Sequence, residues 1–410
     1  MATNATTQGD YVAFLKEFYV GTVVADLVYK NHPWLAIVPK NPEIRGNIYP
    51  KPIRFANITG QSATFATAHA NQGPATRKRW ELQHVDNYAK ATVANKVIEL
   101  SLGRPAAFRE ALTDAVDSAH SAFGNDCHFE LLAKYPNGAR AQLGDQTGYT
   151  APEFKLLGGE ARFFEVGMFV QTTDATDHST LISEVQKVVA VDRINDTVTL
   201  DFDFTLPLAI GDRLYREGDY GKKADSLPLW LPGSAVTNTL FNGIDRTADS
   251  TRLAGVDAAH GSSDATAPLL DDLITTGARL YREGSSPDIC LLNPVTQGAL
   301  AFETEKRAAR YIKVNATSGS LSFSALEIMT GAGAVPVVAD PAVAENACLM
   351  GEKGAVELFS AGGLPRMFKK DGSFYHREET ADNLAFYLFA FYNQCVQAPV
   401  TWAYTADITA

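Results

Sequence analysis

The sequence predicts an α+β fold built from several units, with a small β domain inserted among them. Three observations predict it. Residues 44–80 contain Arg45, Lys51, Arg54, Arg77, Lys78 and Arg79 and no Asp or Glu, and strand-like runs flank a polar centre. Apolar residues recur with helical period from Pro105 to Tyr135. The chain closes on two long strand-like runs, the second of which packs Phe386, Tyr387, Leu388, Phe389, Phe391 and Tyr392 together.

Taken in order, Tyr11 to Tyr29 reads as a helix, punctuated by Asn31, Pro33 and Pro39. Ile48 to Phe55 reads as a strand going out and Trp80 to Ala94 as a strand coming back. A two-stranded hairpin with a polar tip buries too little to stand alone, so residues 44–80 are expected to rest on another surface. Their charge is +6, and the remaining residues carry −17 of the net −11. An acidic surface is therefore the expected support, and a neighbouring copy can supply it. Pro105 suits a first helical turn. Phe108, Leu112, Ala115, Val116, Ala119, Phe123, Cys127 and Leu131 form one stripe, with Glu110, Asp114, Asp117, Asp126 and Glu130 off it. Such a helix is roughly 45 Å long, a spine rather than an average domain helix.

Phe163 to Thr172, Leu181 to Val191, Thr197 to Phe204 and the run from Gly211 read as a small all-β module, with Asn195 and Asp196 at a turn. Residues 226–264 read mostly as loop. From Pro268 the pattern is α/β: helices Leu269 to Arg282 and Pro294 to Tyr311, and short strands at Asp288 to Leu292, Val335 to Ala339, Ala347 to Met350 and Ala355 to Ser360. Pro365 to Glu379 and Asn383 to Tyr404 are the closing strands. The second is apolar on both faces, as expected of a strand inside a covered sheet, and the spine is its expected cover.

Composition narrows the function. The chain has 410 residues, 46% hydrophobic and 20% charged, enough for two or three packed domains. No run approaches the ~18 apolar residues that cross a bilayer, and the polar N-terminus is unlike a secretory signal. Cys127, Cys290, Cys348 and Cys395 form no CxxC and read as free, buried thiols made in a reducing cytoplasm. A net charge of −11 disfavours a grip on nucleic acid, which needs cations for phosphate.

Chemistry-bearing motifs are missing. There is no GxxxxGK[ST] loop; Gly221-Lys222-Lys223 lacks the context, and Gly331-Ala332-Gly333 lacks the third glycine of a dinucleotide fingerprint. His120, Cys127 and His128 are spaced too far apart for one ion, and Asp192, Asp196, Asp201 and Asp203 lack the glycine and glutamate of a calcium loop. No GxSxG elbow exists. No catalytic residue, cofactor or metal is expected, and the chain is not expected to be an enzyme. Arg77-Lys78-Arg79-Trp80 could be a nucleic-acid patch with a stacking ring, but acidity and flanking strands favour a hairpin anchored on an acidic neighbour. Arg54, Arg77, Lys78, Arg79 and Trp80 are the expected inter-subunit contacts.

The order of elements, the stretch Leu231-Pro232-Gly233 through Phe241-Asn242-Gly243-Ile244-Asp245-Arg246 to Arg252-Leu253-Ala254-Gly255-Val256, and the last strand Ala385-Phe386 to Ala398-Pro399 resemble the Hong Kong 97-type coat fold of tailed-bacteriophage major capsid proteins. The resemblance covers nearly the whole chain. It implies an N-terminal arm (1–43), an extended loop hairpin (44–97), a peripheral domain made of the spine (98–153) and C-terminal strands (363–410), an inserted β domain (154–225) and an axial domain (226–362). It further implies pentamers and hexamers of an icosahedral virion shell around double-stranded DNA that is not tightly bound, and synthesis in the host cytoplasm. The implied partners are a portal protein, a decoration protein and a separate scaffolding protein, since no scaffolding segment precedes the arm; no membrane is involved. Lys51 and Lys78 are available for the covalent cross-link some members make, but no residue marks such a site and none is expected. The alternative on the same fold is an encapsulin-type nanocompartment with protein cargo.

Overall fold

The computed structural model describes residues 32–406 and 408, apart from 43–45, 47, 97–104, 174–177, 179, 183, 205–207, 234–235, 237–239, 258–268, 307–310, 316–321, 370–372 and 379–381. The helix expected over Tyr11 to Tyr29 lies outside these residues. A short helix α1 (Pro33–Ile37), started by its proline, buries Trp34 and Leu35, and β1 (Lys40–Asn41) follows. The hairpin is β2 (Ile48–Ala56) against β3 (Thr76–Gln83), joined by a tip that holds the short helix α2 (Phe65–Ala70). The single return strand expected from Trp80 to Ala94 is two strands. Gln83 still pairs with Ile48, whereas β4 (Val85–Ala94) pairs along its whole length with the C-terminal strand.

The spine helix α3 spans Pro105–Leu132. Pro136 follows, and Asn137 and Gly138 take left-handed backbone (φ 62° and 80°) that reverses the chain. Among its described side chains, Val116, Phe123, Cys127 and Leu131 enter one core with Phe386, Leu388, Ala390 and Tyr392. The spine covers the C-terminal sheet as the stripe predicts.

The β module holds β5 (Ala141–Gln142), β6 (Glu153–Lys155), β7 (Phe169–Thr173), β8 (Gln186–Asp192), β9 (Thr197–Leu200) and β10 (Arg213–Arg216), in the order β5-β10-β7-β8-β9-β6. It has its own core of Phe154, Phe164, Val170, Val188, Val198 and Leu214. Asp192 accepts the backbone N–H groups of Ile194 and Asn195 and so builds the β8–β9 turn. The sheet begins at Ala141, not near 154, because a two-residue strand carries no alternation to read.

The α/β unit follows: α4 (Leu227–Trp230), β11 (Leu240–Phe241), β12 (Ile244–Asp245), α5 (Ser250–Ala254), β13 (Val256–Asp257), α6 (Leu269–Arg282), β14 (Ile289–Leu292), α7 (Pro294–Lys306), β15 (Tyr311–Asn315), β16 (Ser322–Thr330), β17 (Gly333–Ala339) and β18 (Cys348–Gly351). The expected helix to Tyr311 stops at Lys306, and Tyr311 opens β15. The chain ends with β19 (Val356–Ser360), β20 (Arg366–Met367), β21 (His376–Arg377), β22 (Asn383–Val396) and β23 (Trp402–Thr405). Two sheets organise these strands. One centres on β22, which pairs with β4, β19, β20 and β21; the other runs β13-β23-β18-β14-β17-β16-β15. The observed order of hairpin, spine, β module, α/β unit and long C-terminal strand is the order the resemblance implies.

The last expected strand, Asn383 to Tyr404, is divided between the two sheets. β22 ends at Val396, a turn forms at Pro399–Thr401, and β23 crosses into the other sheet between β13 and β18. Pro399, which has no N–H to offer a ladder, opens the turn that follows β22. Pro365 to Glu379 likewise yields two short strands in place of a long one. At the crossing, Trp402 is fully buried over Gly351, where an added Cβ would sit 2.3 Å from the indole. Gly351→Ala is expected to cost roughly 1–3 kcal/mol or more by overpacking, read as a lowered urea midpoint of the full chain.

Candidate functional site

Strand alternation gives the hairpin two unlike faces. Tyr49, Lys51, Ile53 and Phe55 of β2 and Trp80 and Leu82 of β3 turn toward the body and are half-buried or buried. Arg54, Arg77 and Arg79 lie on the opposite, exposed face with Pro50 and Pro52. Arg54 stands directly across from Arg77, a like-charge pairing that a sheet tolerates poorly without an anion nearby. Arg79 pairs with Glu81 of its own strand at 2.9 Å. Lys78 is exposed, and its charge reaches Asp245, whose carboxyl is held below its ordinary value first by hydrogen bonds from Thr247 and then by Lys78.

Trp80 does not belong with these contacts. It is fully buried in its own chain, 5.1 Å from the Trp230 ring and 6.4 Å from Phe241, edge to face with both. Its surroundings are an aromatic knot that pins the hairpin's root. Arg246, buried, lies 4.0 Å over Phe241. The Asn242–Gly243 turn (φ 44° and 82°), which suits a two-residue hairpin loop, offers the Asn242 carbonyl to the Glu81 N–H at 2.9 Å. Lys51 adds an ion pair to Glu357 on β19, and Arg252 donates to the Phe55 carbonyl at 2.7 Å. Burial alone would lower the Lys51 ammonium and raise Glu357; their contact outweighs it and moves both the other way.

The expectation that residues 44–80 rest wholly on a neighbour is thus corrected: the chain itself completes the root. The distal part differs. Residues 57–72 are exposed apart from Gly60 and Ala68, with Ile58 60% and Phe65 87% exposed.

The expected acidic support is also corrected in part. Asp126 and Glu130 of the spine are buried. Arg216 holds Asp126 with two bonds at 2.7 and 3.2 Å, Lys223 reaches it at 3.2 Å, Asn87 donates to it at 3.1 Å, and Arg140 pairs with it closely. Lys223 also reaches Glu130 at 3.4 Å and Asp219 at 3.7 Å, and the Tyr392 hydroxyl donates to Glu130 at 2.7 Å. Three acids and three bases thereby join β4, the spine, the β module and β22. Burial pushes the Glu130 and Asp219 carboxyls up. At Asp126 burial acts the same way, but Arg140, Lys223, Arg216 and Asn87 outweigh it and hold the carboxyl well below the usual range.

A second uncovered surface lies on the β22 sheet, opposite the spine. Tyr387, Phe389 and Phe391 alternate with the buried Phe386, Leu388, Ala390 and Tyr392 and are only half-buried. The strand is therefore not buried on both faces as expected. Tyr88 and Arg366 are the direct partners of Phe389 in β4 and β20, and Lys90 is that of Tyr387, so all share this face. The rings touch edge-on: Tyr88 to Phe391 at 6.1 Å and Phe368 to Phe389 at 6.3 Å. Tyr88 is 63% and Phe368 45% exposed.

Among the described residues, no group of three His, Cys, Asp or Glu side chains could hold a metal, and no helix is long and apolar enough to cross a membrane. All four cysteines are free and buried, as their spacing predicts.

No protein-family model matches the chain, and no curated protein does. Among solved structures it is similar to the SrpI encapsulin of Synechococcus elongatus PCC 7942 (13% identity, 97% of this chain and 95% of that one, TM-score 0.45). It is also similar to the capsid of an empty GTA particle (9%, all of both chains, TM-score 0.46) and to the cyanophage A-1(L) capsid (10%, 98% and 100%, TM-score 0.44).

Removing the Asp126 carboxylate leaves Arg140, Arg216 and Lys223 crowded around one buried site. Asp126→Ala is expected to destabilise the chain by roughly 3–5 kcal/mol. Chemical denaturation checks this, with exposed Glu217→Ala as a control expected to change little.

Proposed function

We propose that the chain is the major capsid protein of a tailed bacteriophage, a subunit that acts by assembling into a closed shell and performs no catalysis. The observation that carries this reading is the divided hairpin. Its root is fixed by the Trp80 knot, while its distal half presents Arg54, Arg77, Lys78, Ile58 and Phe65 with no cover from the described residues of its own chain. A feature that is rigidly aimed and uncovered is built to lie on something else, and a closed assembly offers every copy the same complementary surface.

In this reading an adjacent subunit receives the hairpin. The exposed Ile58 and Phe65 of its otherwise polar tip suit the half-exposed aromatic face of the β22 sheet, since apolar side chains that leave water together supply binding energy. The cations set register against a body that carries −17 outside residues 44–80. The β22 sheet and spine form the peripheral domain, the α/β unit the axial domain, and the β module an insertion braced by the Asp126 charge hub. The net −11 charge suits a wall that encloses double-stranded DNA without adhering to it. Scaffolding, portal and decoration proteins belong to the same proposal.

Reversing Arg77, Lys78 and Arg79 together to Glu tests the hairpin's role, because all three are exposed and none supports the core. The triple variant is expected to fold with an unchanged circular dichroism spectrum and to form no shells by electron microscopy. Shells of normal size and yield would remove the proposal.

A further inference from the structure

The first described residue belongs to a buried chain of polar groups that joins three parts of the molecule. His32 Nδ1 lies 3.2 Å from Nδ1 of His128 on the spine, and Nε2 of His128 lies 2.8 Å from Asp340 Oδ2 at the end of β17. Asp340 also accepts the backbone N–H of Trp34 at 3.0 Å and of Ala342 at 2.8 Å. His32 and His128 are each 3% exposed and Asp340 is fully buried. A carboxylate only accepts, so His128 Nε2 carries a hydrogen. Between the two facing Nδ1 atoms there is room for one hydrogen. Either ring can carry it, but both cannot, because two N–H groups would then point at each other across 3.2 Å.

We propose that His32, His128 and Asp340 form an acid-sensitive clamp, which holds residues 32–38 on the spine and releases them when a second proton enters the pair. The clamp acts on α1, whose Trp34 indole donates to Gln394 at 3.0 Å and stands edge-on to Trp402 at 5.7 Å. The charged or titratable groups that bear on His32 are His128 from the spine and Asp340 from the α/β unit. Arg162 of the β module acts on Asp340 in turn and donates to the Val343 carbonyl at 3.0 Å. Burial, and then the His128 charge, lower His32 from 6.5 to about 4, against the opposing pull of Asp340. The released segment therefore binds more protons than the clamped one between these two values. The clamp is at full strength above about 6.5 and weakens as the pH falls toward about 4.

The proposal does not depend on the capsid reading, and the soluble full-length chain tests it. Hydrogen–deuterium exchange, corrected for the intrinsic pH dependence, is followed at Trp34–Val38, where the Val38 N–H is bonded to the Trp34 carbonyl at 2.9 Å. Protection there is expected to fall roughly tenfold or more between pH 6.5 and 4.5, while β8 and β9 keep theirs. His32→Gln keeps a donor toward His128 but cannot titrate, and its protection is expected to stay level. Should that variant not fold, histidine C2-proton exchange on the unaltered chain reads the His32 midpoint, expected near 4. Level protection in the unaltered chain, an equal fall in His32→Gln, or a His32 midpoint at or above 6.5 would each overturn the clamp.

Discussion

Trp80, Trp230 and Phe241 pack edge to face with one another, and Arg246 lies over the Phe241 ring. This contact decides where the hairpin belongs to its own chain and where it stops doing so. Two strands and a polar tip cannot stabilise themselves in water; the knot fixes one end and so fixes the direction of the other. Tyr49 against Phe359, at 5.4 Å, and the Lys51–Glu357 pair tie the same root to β19. Beyond them, strand alternation leaves Arg54 and Arg77 face to face, and the tip helix leaves Phe65 in solvent. In the proposed assembly a second copy of the chain meets that surface.

The charges divide between two tasks. Asp126, Glu130 and Asp219 with Arg140, Arg216 and Lys223 are withdrawn from the surface and bind the β module to the spine and the β22 sheet. Breaking such a hub costs more than its assembly gains, since each member removed leaves a buried charge unpaired. The hairpin cations remain outside, where they add little stability to their own chain. The hub holds the chain together as one body, and in the proposed assembly the hairpin is what attaches that body to its neighbour.

Elements governed by local periodicity were legible in the sequence. The helix Leu269–Arg282 has the bounds its amphipathic pattern predicts, and the spine turns Val116, Phe123, Cys127 and Leu131 to the sheet as its stripe requires. What the sequence concealed depends on contacts distant along the chain. Asp126 and Glu130 read as solvent-facing because their cations stand at 140, 216 and 223. In the sequence His128 is grouped only with His120 and Cys127, a set spaced too widely for one ion, because its actual partners are His32 and Asp340, 96 and 212 residues away. Trp80 reads as a contact residue because it adjoins three cations, although alternation turns it to the body, away from Arg77 and Arg79, where it is fully buried. Pro399 was the one local signal, passed over in the expected strand, that β22 ends and β23 crosses to the other sheet.

The central claim is that the distal hairpin is completed by another copy of the chain. Mixing isotopically light and heavy subunits before assembly, cross-linking the particles at lysine, and following Lys78 by mass spectrometry tests it most directly. Abundant Lys78 links that join one light and one heavy peptide are expected. Lys78 links confined to peptides of a single isotope, within well-formed particles, would contradict it.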